Sequence, residues 1–265
     1  MFYEPGKTDH GLPFNPFKAC VVPRPIGWIS TVSPTSQPNQ EPIYNLAPYS
    51  QFNNLTFDPP YLMFAAHQSN TPEEAQSAAS SSEHLQRSPG FNRKDTVHNV
   101  ESTGYFCWQL ATWDLRELVN ASGETLPYGQ SEFDKCGGIR KVWSQALPIK
   151  IPMVADSPVR FECAYHSTIR LPANPPMGTV DIVIGRVVGI HVDDKVLSSE
   201  GKIDVGLTQP IARLGYSDYT VVKDTFQMTI PNAHQRGLNG MEGRPRGEGQ
   251  AKAQVKSDPI TDETK

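Results

Sequence analysis

Two stretches near the N-terminus decide the fold: residues 26–32 read IGWISTV, and residues 45–54 read NLAPYSQFNN. The first is an apolar run typical of a strand, and a turn rich in Pro, Ser, Asn and Gln joins it to the second. The second combines amide and hydroxyl groups with the flat rings of Tyr49 and Phe52. That mixture suits the lining of a site for a planar heterocycle, and the alternative is an ordinary edge strand with its turn.

Length and composition limit the class of protein. The 265 residues are enough for one large all-β domain or two smaller domains, and 24 Pro with 20 Gly favour short strands over long helices. The net charge of -4, without a basic stripe, argues against a nucleic-acid partner. The N-terminal residues do not resemble a signal peptide and no stretch resembles a membrane span, so we expect a cytoplasmic protein with no membrane partner. The cysteines and histidines show no metal-site spacing, and we predict no metal.

Alternating apolar residues predict the strands. We expect strands at Gly27–Val32, Ile43–Phe52, Tyr61–Ala66, Tyr105–Leu110, Val159–Leu171 and Thr179–Asp193. In the last of these, one face is predicted to be core, formed by Val180, Ile182, Ile184, Val188, Ile190 and Val192. The opposite face carries His191 beside two glycines, which permit the close approach of backbone or ligand.

Helices and loops are predicted between these strands. A helix over Asp95–Thr103 is capped by Asp95 or Thr96 and ends at Gly104, and a second helix covers Leu115–Asn120. The segment Gly123–Pro158 is expected to hold loops and one short strand.

The ends of the chain differ from its centre. Residues 1–17 are predicted to form an extended N-terminal arm, residues 18–230 the folded domain, and residues 231–265 a disordered tail. Residues 68–90 have almost nothing to bury and are predicted to be a polar loop insertion.

Three blocks carry a resemblance to a known family: residues 24–31 (RPIGWIST), residues 45–50 (NLAPYS) and residues 94–96 (KDT). In this order they resemble the flavin reductase-like family of FMN-binding split barrels, which includes flavoredoxins, over about residues 18–219. The resemblance implies a mainly β fold: an antiparallel Greek-key split β-barrel with a few short helices, working as a homodimer. It also implies FMN as cofactor and NAD(P)H as a transient donor, and the 68–90 insertion is longer than the connection usual in the family.

A phosphate site is predicted at residues 93–96. This segment places two cations, a cap and a hydroxyl at a helix N-terminus, where free N–H groups favour an anion. From these residues alone, a solvated charge cluster is the preferred interpretation. The resemblance implies instead that Arg93, Lys94 and Thr96 hold the FMN phosphate, with Asp95 as a cap.

The ring contacts are implied by the resemblance alone. Backbone groups near Asn45 and Ala47 are expected to meet the ring edge. Hydroxyl groups are expected to bond ring or ribityl oxygens, and these belong to Ser30, Thr31 and Ser50. The other implied cofactor contacts are Trp28, Leu46, Pro48, Tyr49 and Phe52, although Trp28 is more often a core residue and Phe52 suits either role.

Three further residues are candidate nicotinamide or interface contacts: His191, Arg213 and Tyr216. A lone histidine on a strand is more often exposed or satisfied structurally, and that interpretation is preferred for His191.

The resemblance implies FMN-dependent electron transfer. A reduced nicotinamide gives a hydride to flavin N5, and the electrons pass on to a small-molecule acceptor or a partner oxygenase. Because the cofactor carries this chemistry, no catalytic side chain is predicted. The sequence has no G-x-G-x-x-G motif, and the family binds NAD(P)H without a Rossmann domain. The alternatives are an FMN-binding electron carrier or sensor without nicotinamide turnover and, more distantly, an oxidase of the pyridoxamine-phosphate type.

Overall fold

The computed structural model describes residues 1–35, 41–69, 93–127, 129–173, 177–228 and 230–231. The chain divides into one compact unit, Met1–Thr225, and a C-terminal segment, Phe226–Lys265. Apart from its first residue, the predicted disordered tail at 231–265 lies outside the described residues. The predicted insertion at 68–90 also lies outside them, except for its first two residues.

The fold is mainly β. In the described ranges, the strands are β1 (Arg24–Pro25), β2 (Gly27–Val32), β3 (Tyr44–Tyr49), β4 (Phe52–Phe57), β5 (Pro60–Ser69), β6 (Tyr105–Gln109), β7 (Lys141–Trp143), β8 (Pro152–Val154), β9 (Val159–Leu171), β10 (Met177–Val192), β11 (Ile211–Gly215) and β12 (Asp218–Val221). A seven-stranded sheet has the order β3-β2-β6-β9-β10-β5-β4, a three-stranded sheet the order β1-β11-β12, and β7 pairs with β8. Every one of these pairings is antiparallel, and β3 lies at an edge of the large sheet.

The helices are few and short. They are α1 (Phe17–Cys20), α2 (Asp95–Thr103), α3 (Arg116–Ala121), α4 (Glu132–Lys135) and α5 (Val205–Thr208), with one 3-10 turn at Asp194–Val196. Helix α2 buries Val97 and Val100 in the main core, against Phe64 and Phe106 of the large sheet. This packing fixes the start of α2 next to β3. Of the helices that can be described, none is long and apolar enough to span a membrane.

Several predicted elements are confirmed. Strands Gly27–Val32 and Val159–Leu171 have the predicted bounds. Helix α2 also has its predicted bounds and ends at Gly104, whose φ of 80° lies in the left-handed region that favours glycine.

Other boundaries were wrong. The predicted strand Ile43–Phe52 is two strands, because the chain turns at residues 50–51 and β4 begins at Phe52. Gly123–Pro158 holds two short strands and helix α4 rather than one strand. The N-cap position of helix α2 is Lys94, in an extended conformation and without a side-chain capping bond, and not Asp95 or Thr96 as predicted.

The predicted core face of β10 was also wrong. The buried residues are on the alternate face, at Asp181, Val183, Gly185 and Val187, while Val188 and Ile190 are exposed. At Gly185 a Cβ atom would lie 2.4 Å from the ring of Phe106, so only glycine fits against that ring. Asp181 is tolerated inside because two arginines pair with it. Both faces of β10 carry apolar residues, and alternation alone does not say which face is turned inward.

Candidate cofactor site

The outer edge of β3 is partly open. The Ser33 N–H donates to the Ile43 carbonyl at 2.8 Å, so Ser33 and Ile43 form a hydrogen-bonded pair between β2 and β3. Along an antiparallel ladder every second residue pair is hydrogen-bonded, which makes Asn45 and Ala47 the next such positions on β3. The backbone groups of Asn45 and Ala47 therefore face β2, and those of Leu46 and Pro48 face outward. Of the backbone groups near Asn45 and Ala47 that are expected to meet a ring edge, the outward ones belong to Leu46, which is fully buried, and to Pro48, which is half-buried. The ring contact stays a prediction.

The start of α2 lies beside this strand. The Thr96 hydroxyl donates to Asn45 Oδ1 at 3.1 Å, which ties the first turn of the helix to β3. The Lys94 backbone N–H donates to Gln68 Oε1 at 2.6 Å. Within the described ranges, the Lys94 ammonium group has no hydrogen-bond or ion-pair partner. The site therefore offers one available cation at an uncapped helix start, which is the chemistry that an anion requires.

Gln68 was missed because the sequence places it at the start of a polar stretch. It continues β5 and is fully buried, and its amide also donates to Asp181 Oδ2 at 3.0 Å. Nothing in the local composition distinguishes it from the polar residues that follow.

Arg93 is paired with two carboxylates. Its guanidinium donates to both carboxylate oxygens of Glu101, at 2.6 and 2.8 Å, and to Asp181 at 3.1 Å. Arg170 adds a second pair to the same buried Asp181 at 2.6 Å. Burial alone would raise the pKa of Asp181, but the two guanidinium groups outweigh it and hold that pKa below the usual value. Because its charge is balanced by two carboxylates, Arg93 positions the start of α2, and its contact with a phosphate stays a prediction.

Asn45 and Tyr49 lie on the same side of β3, toward α2. The Tyr49 ring packs against Phe64 with ring centroids 5.0 Å apart, and its hydroxyl bonds with Thr96. Burial is the main cause that raises the pKa of the Tyr49 phenol, so this side chain stays protonated at neutral pH.

Glu132 of α4 was not predicted, yet it contacts the same strand. Its Oε2 atom accepts the Leu46 N–H at 2.9 Å and the Asn45 side-chain amide at 3.2 Å. Burial raises the pKa of Glu132 to about 7, although the Leu46 N–H acts in the opposite direction. In the sequence it is one acidic residue in a loop-rich segment, with no motif that indicates this role.

We expect the raised pKa of Glu132 to make stability depend on pH. Between about pH 4.5 and 7 the folded protein holds a proton that the unfolded chain has lost, so the free energy of unfolding falls as the pH rises through this window. Glu132→Gln removes this titration. The free energy of unfolding is measured for both proteins by urea denaturation at pH 5 and pH 8. The difference, variant minus wild type, should be larger at pH 8 than at pH 5 by on the order of 2 to 3 kcal/mol. An equal difference at the two pH values would contradict the assignment.

Three of the predicted ring contacts are fully buried. Trp28 donates its indole N–H to Ser122 Oγ at 2.9 Å, and Ser30 donates to Gln109 Oε1 at 3.1 Å. The Thr31 hydroxyl accepts from the Asn99 amide at 3.0 Å. These side chains have no surface to offer a ring, so the prediction of cofactor contacts at all three is corrected: they brace β2 against its neighbours.

The remaining predicted contacts divide into two groups. The Leu46 side chain is buried in the second core cluster, and the Phe52 ring stacks on Trp108 with centroids 5.4 Å apart. The side chains of both residues therefore pack inside the protein. The half-buried residues at the open edge are Ala47, Pro48, Tyr49 and Ser50.

His191 has a structural partner. Its Nε2 atom lies 2.6 Å from Glu162 Oε1, and that carboxylate also accepts three backbone N–H groups from residues 145–147. Burial would raise the pKa of Glu162, but these donors outweigh it and lower the pKa. This pairing agrees with the preferred interpretation of His191 as structurally satisfied.

Arg213 and Tyr216 lie together at the β11–β12 turn. The Arg213 guanidinium donates to the Tyr219 hydroxyl at 2.6 Å and to the Tyr216 carbonyl, and the Tyr216 ring contacts Phe14 of the arm. A cavity of about 490 Å³ adjoins Tyr219, but none of the predicted cofactor contacts lines it. The role of Arg213 and Tyr216 at a nicotinamide or an interface stays a prediction.

Comparisons with known proteins agree with this geometry. The family model described as "Flavin reductase like domain" matches residues 19–216. An uncharacterized protein of Aquifex aeolicus is 28% identical over 213 residues, which are 80% of this chain and 91% of that protein.

Two solved structures share the fold. Nitrilotriacetate monooxygenase component B of Bacillus cereus superposes with a TM-score of 0.67 at 22% identity, covering 86% of this chain and 98% of that one. A candidate flavin reductase with a split barrel domain from Shewanella frigidimarina gives a TM-score of 0.59 at 18% identity, covering 81% and 89%. With the family model spanning most of the compact unit, the chain belongs to the flavin reductase-like family.

Proposed function

We propose that the protein binds FMN between the outer edge of β3 and the start of α2. It then works as an oxidoreductase that takes a hydride from NADH or NADPH and passes electrons to an acceptor. The observation that carries the proposal is the convergence of an open strand edge with an uncapped helix start, tied together by the bond of 3.1 Å between Thr96 and Asn45.

The residues present fit FMN. Lys94 and the first backbone N–H groups of α2 suit a phosphate, since a cation and a helix N-terminus both favour an anion. The outward carbonyl of Pro48 suits a ring N–H donor, and the Ser50 hydroxyl both donates and accepts. The apolar surfaces of Pro48 and Tyr49 suit a ring face.

When bound, FMN supplies the electron-carrying ring. The chain orients that ring against β3, holds the phosphate at α2 and leaves room for a nicotinamide on one face. We assign no acid or base to the reaction, because the Tyr49 phenol is held protonated and in a hydrogen bond. An oxygenase partner is a fitting acceptor, since the similar Bacillus cereus protein is a monooxygenase component.

The test is a flavin titration followed by anaerobic reduction. FMN is added to the purified protein while the flavin fluorescence and visible spectrum are recorded, and NADH or NADPH is then added without oxygen. Bleaching of the flavin band supports the reductase and identifies its donor. A bound flavin that stays oxidised supports an electron carrier or sensor, and absence of FMN binding excludes both.

Replacement of Lys94 tests the phosphate site. We expect Lys94→Gln to weaken FMN binding roughly tenfold to a hundredfold, because a charge-assisted contact is lost. Riboflavin, which has no phosphate, serves as the matched ligand and should bind both proteins alike. Lys195→Gln, an exposed lysine elsewhere, should leave FMN binding unchanged. An equal loss for FMN and riboflavin would contradict the phosphate assignment.

A homodimer with a Greek-key barrel is part of the same proposal. On the β9–β10 hairpin, directly paired residues turn apolar side chains away from the core: Ile169 pairs with Ile182, and Leu171 pairs with Val180. Ile169 is 50% exposed and Leu171 is 45% exposed. An apolar patch of this kind suits a protein interface.

We expect Ile169→Glu to shift the protein toward the monomer. A charge placed in an apolar contact would be desolvated without a partner, which costs association energy. Light scattering at micromolar concentration measures the mass, and Lys195→Glu, at an exposed lysine outside this hairpin, serves as the comparison. A wild-type protein that is monomeric under these conditions would exclude the dimer.

A further inference from the structure

Glu132 connects three elements at the proposed flavin site. The residue is 8% exposed, and its Oε2 atom accepts the Leu46 N–H at 2.9 Å and the Asn45 amide at 3.2 Å. Asn45 in turn accepts the Thr96 hydroxyl at 3.1 Å. The chain of bonds therefore runs from α4 through β3 to the first turn of α2.

The first of these bonds determines what the edge of β3 offers. Leu46 faces outward, and its N–H would be an open donor if Glu132 did not accept it. The next outward residue, Pro48, has no N–H. Leu46 itself is fully buried, so the edge is closed at Leu46 with Glu132 in place, and the next outward group open to a ligand is the carbonyl of the half-buried Pro48, which is an acceptor.

The second bond determines how Asn45 is oriented. An asparagine side chain donates from one end and accepts at the other. Because the carboxylate of Glu132 takes the donor end, the acceptor end is directed to Thr96. A reversed amide would place an oxygen against the carboxylate and a donor against the hydroxyl, which breaks the connection to α2.

The charged groups around Glu132 do not neutralise it by contact. Asp95 of α2 lies close enough for its charge to raise the pKa of Glu132, and the Tyr49 phenol and the Cys136 thiol are in turn affected by Glu132. On the same helix, Asp134 is paired with Lys141 at 2.8 Å. The groups that hold the carboxylate are therefore N–H donors: those of Leu46 and Asn45 in β3, and the backbone N–H of Glu132 itself.

We propose that Glu132 is a positioning residue of the flavin site, acting through Leu46 and Asn45 to hold β3 in register with the start of α2. This inference rests on the proposed function, since the ligand that it positions is the flavin. Glu132 itself is buried at the outer edge of β3 beside Leu46 and takes no part in electron transfer.

The test compares Glu132→Leu with Glu132→Gln by FMN titration. The leucine removes the acceptor, and we expect FMN binding to weaken roughly tenfold or more, with a changed visible flavin spectrum. Glutamine keeps one oxygen for both N–H groups, and we expect it to restore binding to within about threefold of the wild type. Far-UV circular dichroism and thermal melting verify that each variant is folded.

A second pair of variants keeps the test decisive if the leucine variant does not fold. Asn45→Asp faces Glu132 with a second carboxylate and should weaken FMN binding. Adding Glu132→Gln should recover part of it, because the repulsion between the two carboxylates is removed while the glutamine oxygen still accepts the Leu46 N–H. Wild-type binding by Glu132→Leu, equal losses for leucine and glutamine, or no recovery in the double variant would overturn the inference. If the wild type itself does not bind FMN, the proposed function fails, and the inference fails with it.

Discussion

Glu162→Ala is expected to destabilise the protein by about 3 to 5 kcal/mol. The carboxylate of Glu162 is fully buried and accepts backbone N–H groups from Gln145 and Ala146 at 2.8 Å and from Leu147 at 3.1 Å, besides its contact with His191. Alanine leaves these donors without an acceptor in a region closed to water. The loop at residues 144–149 would then lose its attachment to β9.

The measurement is thermal and urea denaturation. For a compact unit of this size, the expected loss corresponds to a fall in the melting temperature of roughly 10 °C. Glu162→Gln keeps one oxygen but places an amide against N–H groups, so an intermediate loss is expected. Glu200→Ala, at an exposed glutamate that pairs with Lys202, should leave the melting temperature unchanged. A Glu162→Ala protein with the same melting temperature as the wild type would contradict this account.

Gly185→Ala is expected to cost about 1 to 3 kcal/mol through overpacking. A Cβ atom at Gly185 would lie 2.4 Å from Cε1 and Cζ of Phe106, whose ring is fully buried in the main core. The ring has no open space to move into, so the sheet must shift. Gly189→Ala is the matched control on the same strand, because its nearest contacts would be 3.3 Å away.

A second substitution separates overpacking from other causes. Phe106→Leu removes part of the ring that the new Cβ would meet. The double variant Gly185→Ala with Phe106→Leu should therefore lose less stability than the sum of the two single variants. Additive losses in urea denaturation would show that the two residues do not compete for the same space.

Much of the local structure was predictable from the sequence. The Val159–Leu171 strand and the helix from Asp95 to Gly104 follow from alternation, helical spacing and a glycine at the helix end. These signals are local, because side-chain direction and backbone preference act over a few residues. The open part of the site, from Ala47 to Ser50 with Lys94, also lies inside the blocks that carry the family resemblance.

The partners of the polar residues were not predictable. Arg93 pairs with Asp181, 88 residues away, and Glu132 bonds with Leu46, 86 residues away. The local sequence around a cation at a helix start is the same whether the cation binds a ligand or pairs with a carboxylate from a distant part of the chain. Ser30 and Thr31 show the same ambiguity, since a hydroxyl that braces two strands is not distinguishable in sequence from one that binds a ligand.

The sequence by itself determined most of the strands and helices, though not all of their boundaries, because side-chain spacing and backbone preference are local. Three of its blocks also carry the family resemblance. The tertiary structure alone decided which face of β10 is the interior, since Val180 and Val183 are both apolar and only the Phe106 ring against Gly185 distinguishes the two faces. It also decided that Arg93 is paired with Glu101 and Asp181, while the Lys94 ammonium group has no partner among the residues that the structure describes. Burial and pairing are properties of atoms brought together from distant parts of the chain, and local spacing does not contain them.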